Sequence, residues 1–262
     1  LRLMLLPVLN VLGPIIIGFS LSMLIPLALS LWKNDGASAG FEIAFCITFF
    51  TGLLMWLLTR RYKRELIPRD GFLLVTMAWV LLALAATIPL YVNIEGISFV
   101  HAFFEATSGI TTTCGTILSG LDRLPLSVNF WRCFLAWMGG IGILVMAVAV
   151  LPLLGVGGSQ IFRAESSGPM KEGRLTPRIA DTAKAFYNIY LAISVACAVC
   201  YHFAGMDWDD AIMHTFTTVS LGGYSSHDAG FAYWPGRAVD WVCVVFLLIG
   251  GINFSMHFIA LR

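Results

Sequence analysis

Six stretches of this 262-residue chain are apolar enough, and long enough, to cross a lipid bilayer. A bilayer core of about 30 Å takes about 20 apolar residues per helix, and the runs 11–32, 40–59, 71–92, 130–154, 185–204 and 238–261 meet that length. The chain is 58% hydrophobic and 12% charged, against about 25% charged residues in soluble domains. An all-α integral membrane fold follows. The opening run is expected to be a span rather than a secretory signal, since it continues from Leu3 to Trp32 and lacks a closing small-residue site. Pro7, Gly13 and Pro14 predict a short leading helix and a break before the first span.

The loops assign an orientation. Arg60, Arg61, Lys63, Arg64 and Arg69 follow the second span, and Arg163, Lys171, Arg174, Arg178 and Lys184 follow the fourth. Basic loops stay in the cytoplasm, which places both termini inside. The opposite loops carry Asp35, Glu95, Asp122, Asp207, Asp209, Asp210 and Asp228. A net charge of +1 leaves no excess to neutralise phosphates and argues against a nucleic-acid partner.

The chain also repeats itself. Trp137-Met138-Gly139-Gly140-Ile141 returns as Leu248-Ile249-Gly250-Gly251-Ile252. Each copy follows a polar, glycine-containing turn, Thr111 to Thr116 in the first and Val219 to Tyr224 in the second. Before each turn lies a short helical stretch, near 98–108 and 208–218, covering only about half a bilayer core at ~1.5 Å per residue. Each unit therefore reads span, half-helix, turn, span. Two crossings per unit point both copies the same way, so their symmetry axis runs along the membrane normal.

Non-helical backbone at membrane depth is tolerated only where protein or water covers it. The two turns are either re-entrant loops lining a hole or outer loops with surface helices; Phe99, Val100, Phe103 and Phe104 and the repetition favour the first. Carbonyl rings replace an ion's water shell in potassium filters, and a half-helix C-terminus aims partial negative charge at such a site. Ser98 and Asp207 to Asp210 are expected to cap the half-helices. Gly222 and Gly223 are expected to supply positive φ.

These motifs carry a resemblance. The residues are Ala106-Thr107-Ser108-Gly109-Ile110-Thr111-Thr112-Thr113, Leu118 to Asp122, Phe130-Trp131-Arg132, Trp137 to Ile143, Leu151 to Gly158, Arg163 to Pro169, and Thr217 to Asp228. Over essentially its whole length the chain resembles the TrkH/TrkG subgroup of the Trk/Ktr superfamily of potassium transport proteins. The resemblance implies four span–half-helix–span units around one pore, of which this chain holds two. Residues 1–62 would be an amino-terminal helix pair, 63–160 the first pore repeat, 161–182 a cytoplasmic linker and 183–262 the second repeat. Potassium, as substrate, would be held by the backbone of Thr111, Thr112, Thr113 and Cys114 and of Val219, Ser220, Leu221 and Gly222. Glu105, Gly115, Gly223, His227 and Asp228 would support them. The implied setting is the bacterial cytoplasmic (inner) membrane, with the lipid bilayer, a homodimer mate and a cytosolic nucleotide-binding regulatory ring as partners. No covalently bound cofactor is implied.

Two departures stand out. The family pattern places glycine where this chain has Cys114, so either Gly115 takes over the turn or that quadrant is distorted, and potassium-over-sodium selectivity stays open. The sequence also stops at Arg262 before a third and fourth unit, and a piece of a longer protein is expected over a natural half-channel. A non-conducting assembly module is the alternative function.

Other residues read more plainly. Arg132 is expected to snorkel to lipid headgroups rather than serve the pore. Glu105 either bonds turn N–H groups or attracts cations. The five histidines lack metal-ligand spacing, and His227-Asp228 is placed to brace the second turn. Cys197 and Cys200 form a CxxC inside an apolar helix and read as packing residues. Gly155-Val156-Gly157-Gly158 reads as a flexible elbow. With no nucleophile–base pair, no enzyme activity is expected.

Overall fold

The computed structural model describes residues 2–62, 67–153, 175–254 and 256–257. Nine α-helices occupy them: α1 Arg2–Ser22, α2 Leu24–Lys33, α3 Ser38–Thr59, α4 Pro68–Asn93, α5 Phe99–Ile110, α6 Leu126–Leu153, α7 Leu175–Phe203, α8 Trp208–Val219 and α9 Ala238–Gly251. Four stretches are long and apolar enough to cross a membrane: Leu5–Lys33, Ser38–Thr59, Arg69–Asn93 and Ala183–Phe203. At 28 residues, α6 is about 42 Å long. The expected elbow at Gly155 to Gly158, Lys63, Arg64 and linker residues 161–174 lie outside the described residues.

The first span departs from expectation. Helix α1 runs through Pro7 and Pro14, and the interruption comes at Met23. Pro26 has no N–H to give the Ser22 carbonyl, and the Met23 N–H tightens onto Ser20 O at 3.0 Å. Gly13 makes a contact rather than a break. A Cβ there would lie 2.8 Å from Trp56 Cβ and 3.0 Å from Gly52 O, so its absence lets α1 and α3 pack closely.

The last span is interrupted. Helix α9 stops at Gly251, and Ile252 is extended at φ −71°, ψ 136°. Its 14 residues cover the first part of the expected span 238–261; Phe254, Met256 and His257 are helical again, and residues 255 and 258–261 lie outside the described residues. Two consecutive glycines at its end give up about 1 kcal/mol each of helix propensity. At the other side of the linker, α7 begins at Leu175, ahead of the expected span 185–204.

Packing joins the pieces around Trp131, which is fully buried. Its indole N–H donates to Ala86 O at 3.1 Å, and Phe19 and Phe41 flank the ring. A second cluster ties α7 to α8 and α9 through Tyr190, Tyr201, Val219 and Phe246. Between the clusters, Phe130 and Phe134 of α6 each meet Phe216 of α8 at 5.4 Å between ring centres. Asp35 pins the α2–α3 connection by accepting from Ala37 N at 3.2 Å and, on the start of α6, from Ser127 N at 2.8 Å. Burial acts to raise its carboxyl, but the hydrogen bonds from Ser30, Ser127 and Ala37 outweigh it and hold the group below the usual carboxylate range.

Candidate functional site

Helices α5 and α8 are each 12 residues long, or about 18 Å. Both begin on the cap expected of them. Ser98 Oγ accepts from His101 N at 3.2 Å, and Asp207 Oδ1 accepts from Asp210 N at 2.8 Å. The two then match position by position: Ser98 with Asp207, Ile110 with Val219, Ser108 with Thr217, Gly115 with Tyr224.

The turns that follow are built alike. Thr112 and Leu221, matched in register, are both left-handed, at φ 59° and 56°. Thr112 N bonds Gly109 O at 2.9 Å, and Leu221 N bonds Thr218 O at 3.1 Å. The Ser108 hydroxyl donates to Gly115 O at 2.7 Å, and its counterpart Thr217 donates to Tyr224 O at 2.9 Å. These bonds draw the turn N–H groups back onto the helix ends. Among the described residues, no hydrogen bond ends on the main-chain carbonyls of Thr111, Thr112, Thr113 and Cys114, nor on those of Ser220, Leu221, Gly222 and Gly223. Unclaimed main-chain oxygens at two helix C-termini are chemically suited to a dehydrated cation.

The turns differ from expectation at three places. The positive φ expected of Gly222 falls on Leu221, whereas Gly223 has the positive φ expected of it, at 157°. Cys114 itself is left-handed at 52°, and Gly115 does not take its place. Val219, expected within the second turn, closes α8 and is the counterpart of Ile110. The repeated Gly-Gly-Ile lies behind each turn. A Cβ on Gly139 would collide with Ile110 O, and one on Gly250 would come within 3.2 Å of Val219 O. In both units a glycine lets the outgoing helix press against the end of the short one.

Glu105 bonds the first turn. Its carboxylate accepts from Thr116 Oγ1 at 2.8 Å and from Ile117 N at 3.3 Å. Arg132 does not reach headgroups: it is 0% exposed and pairs with Glu105 at 2.6 Å. Its guanidinium also donates to Asn129 Oδ1 at 2.7 Å and lies 4.5 Å above the Tyr224 ring. The Tyr224 hydroxyl donates to Glu105 O at 2.8 Å, crossing from the second turn to the first helix. Removing either charge strands the other, and that typically costs about 3–5 kcal/mol. In the second unit the residues matched to Glu105 and Thr116 are His214 and Ser225, and His214 Nε2 meets Ser225 Oγ at 3.1 Å.

A polar chain continues outward. Asn129 Nδ2 donates to Ser226 O at 2.8 Å, and Ser226 Oγ donates to Asp210 Oδ1 at 2.6 Å. His227 bridges Asp210 Oδ2, at 3.0 Å, and Asp122. The Asp228 carboxylate accepts from Gly120 N at 2.9 Å and Leu121 N at 3.1 Å. His227 and Asp228 therefore brace the second turn against the segment that leaves the first. Burial acts to lower the His227 imidazole, but Asp210 and Asp122 outweigh it and hold it above its ordinary value. The hydrogen bond with His227 holds the Asp122 carboxyl below the carboxylate range.

The sequence reading missed Arg132, Asn129, Thr116, Asp210, Tyr224 and Ser226 as members of this network. One signal was available: Asn129 and Arg132 are spaced to share a helix face inside an otherwise apolar run. No group of three or more His, Cys, Asp or Glu side chains that could hold a metal ion occurs among the described residues.

Comparison places this geometry. The sequence model of the family described as "TrkH: Cation transport protein" matches residues 37–262. The chain is 46% identical over 254 residues to the Trk system potassium uptake protein TrkH of Vibrio parahaemolyticus, covering 97% of this chain and 52% of that one. It is 39% identical over 244 residues to the Trk system potassium uptake protein TrkG of Escherichia coli K12, covering 93% and 50%. The crystal structure of the potassium transporter TrkH from Vibrio parahaemolyticus matches with a TM-score of 0.85 at 43% identity, over 97% of this chain and 51% of that one. The chain spans about half the length of the curated relatives it matches. It belongs to the TrkH family of cation transport proteins.

Proposed function

We propose that this chain contributes two pore-lining repeats to a Trk-type potassium uptake protein of the bacterial inner membrane. The observation that carries the reading is the pair of matched turns whose carbonyls, from Thr111 to Cys114 and from Ser220 to Gly223, accept no hydrogen bond from the described residues. Two turns supply half a carbonyl ring around one axis. Two further repeats, from the same protein or from a partner, complete it. In this reading α5 and α8 are re-entrant, six spans surround them, and both termini face the cytoplasm. Residues 1–62 form the amino-terminal pair, and 63–160 and 183–262 form the repeats on either side of a cytoplasmic linker at 161–182. The Val219 carbonyl, at the end of α8, sits at the inner edge of the site. Homodimer formation and docking of a cytosolic nucleotide-binding ring belong to the same reading, through the relatives' kinship alone.

The test is rubidium uptake in cells lacking their own potassium transporters, with the 262-residue chain and any longer form of the protein that contains it. Gly222→Asp places a carboxylate among the turn carbonyls. Uptake by the longer form should fall at least about tenfold, the effect of some 1.4 kcal/mol on a barrier. Uptake indifferent to this change removes the filter reading. Uptake absent from every form, with the protein present and folded in the membrane, favours the assembly-module alternative.

A further inference from the structure

Cys114 departs from glycine in a left-handed position, yet its side chain is placed with care. The residue is 9% exposed and packs with Cys133, Ala136, Met213 and Tyr224, three of them on the two elements beside the turns and Tyr224 in the opposite turn. Gly222 of the opposite turn faces it. A Cβ built on Gly222 would lie 2.5 Å from Cys114 Sγ. Its next neighbours are Ser220 Oγ at 3.3 Å and Thr217 O at 3.4 Å, so the sulfur is the nearest obstacle. Gly222 does not need glycine for its φ, because the left-handed residue beside it is Leu221. The missing side chain is therefore a notch, and the sulfur occupies it.

Both sides of this contact are anchored. Cys114 N is held by Ser108 O at 3.0 Å, and Gly222 N by Thr217 O at 2.8 Å. The sulfur thus joins two turns that are each fixed to their own short helix. We propose that Cys114 is a positioning residue whose sulfur keys into the notch at Gly222 and sets the spacing between the two carbonyl-bearing turns, and with it the discrimination among alkali cations. The contact stands on geometry alone; its effect on ions rests on the filter reading above.

A four-member cycle tests it in the longest available form of the protein: unchanged, Gly222→Ala, Cys114→Ala, and both together. Melting temperature of the detergent-purified protein and rubidium uptake are measured for each. Gly222→Ala should lower the melting temperature by about 4 °C or more, on the scale expected for a chain this size. In the Cys114→Ala background the same change should cost less than about a third as much, because the obstructing sulfur is gone. Uptake should follow: a loss of about tenfold for Gly222→Ala alone, mostly recovered in the double variant. Cys114→Ala should reduce the ratio of potassium to sodium uptake severalfold, and Cys114→Ser, of nearly the same size, should keep it.

The outcomes separate the two ideas. Equal damage from Gly222→Ala in both backgrounds overturns the contact, whatever the uptake. A coupled melting cycle in a protein that moves no potassium retains the contact and sinks the filter reading. A potassium-to-sodium ratio unmoved by Cys114→Ala overturns the positioning role.

Discussion

The two short-helix units reach one backbone shape by different chemistry. Behind the first turn stands a fully buried ion pair, Glu105 with Arg132, with Thr116 bonded to the carboxylate. Behind the second stands His214 bonded to Ser225, at the positions matched to Glu105 and Thr116. The first turn holds two left-handed residues with side chains, Thr112 and Cys114; the second has Leu221 followed by two glycines. What the units share is the set of constraints on the main chain: a capped start, a hydroxyl that ties the turn back, and a glycine on the outgoing helix. The lesson is that main-chain geometry is the repeated quantity, and that side-chain chemistry is free to vary wherever it delivers the same bonds.

Three experiments would break or sharpen that contrast. The largest effect belongs to the charged unit. Arg132→Met removes the cation paired with the buried Glu105 carboxylate, and should cost about 3–5 kcal/mol. Membrane extracts should show little folded protein by size exclusion, and adding Glu105→Gln should restore most of it. Full stability of the single variant would mean that the ion pair does not hold the first turn.

The second unit should be softer. His214→Ala removes the hydrogen bond to Ser225 and one to the Asp210 carbonyl, a loss of about 1–3 kcal/mol for buried groups. Thermal melting of detergent-solubilised protein reads it directly. A loss as large as that from Arg132→Met would erase the distinction between the units.

The smallest effect is a pH dependence of the brace between them. The folded His227 value is raised above 6.5, so its contribution is fully present below pH 6.5 and fades as pH rises through the folded value. Asp122 runs the other way: its folded value is depressed below 3.8, so its contribution is present above 3.8 and fades as pH falls through the folded value. The brace is therefore strongest between those limits. The group is partly open to solvent, so the change in melting temperature should be modest. His227→Gln should flatten the alkaline side of the profile; a profile unchanged by that substitution would separate His227 from the coupling.

Local signals were legible where local physics decided the outcome. Ser98 and Asp207 cap as their residue types require, since a cap involves atoms only three residues apart. The short helices end within two residues of the expected positions, because polar turn residues follow them at once. Arg132 was misjudged because an arginine near a helix start reads the same whether its partner is a headgroup or a carboxylate 27 residues earlier. Pro7 and Pro14 were read as breakers, yet α1 runs through both and packs against α3 at Gly13 and Gly52. The interruption at Ile252 and Asn253 was missed because apolarity alone does not register two successive glycines as a break.

By itself the sequence determined which segments are apolar, how long each helix could be, where the short ones begin, and that one pattern occurs twice. Those properties follow from residue type and spacing along the chain. Only the tertiary structure decided that Arg132 is buried, that Leu221 rather than Gly222 turns left-handed, and that the Cys114 sulfur lies against the opposite turn. Each of these depends on what another segment brings to the same place, and whether a side chain meets water, lipid or a partner is not encoded in its immediate neighbours.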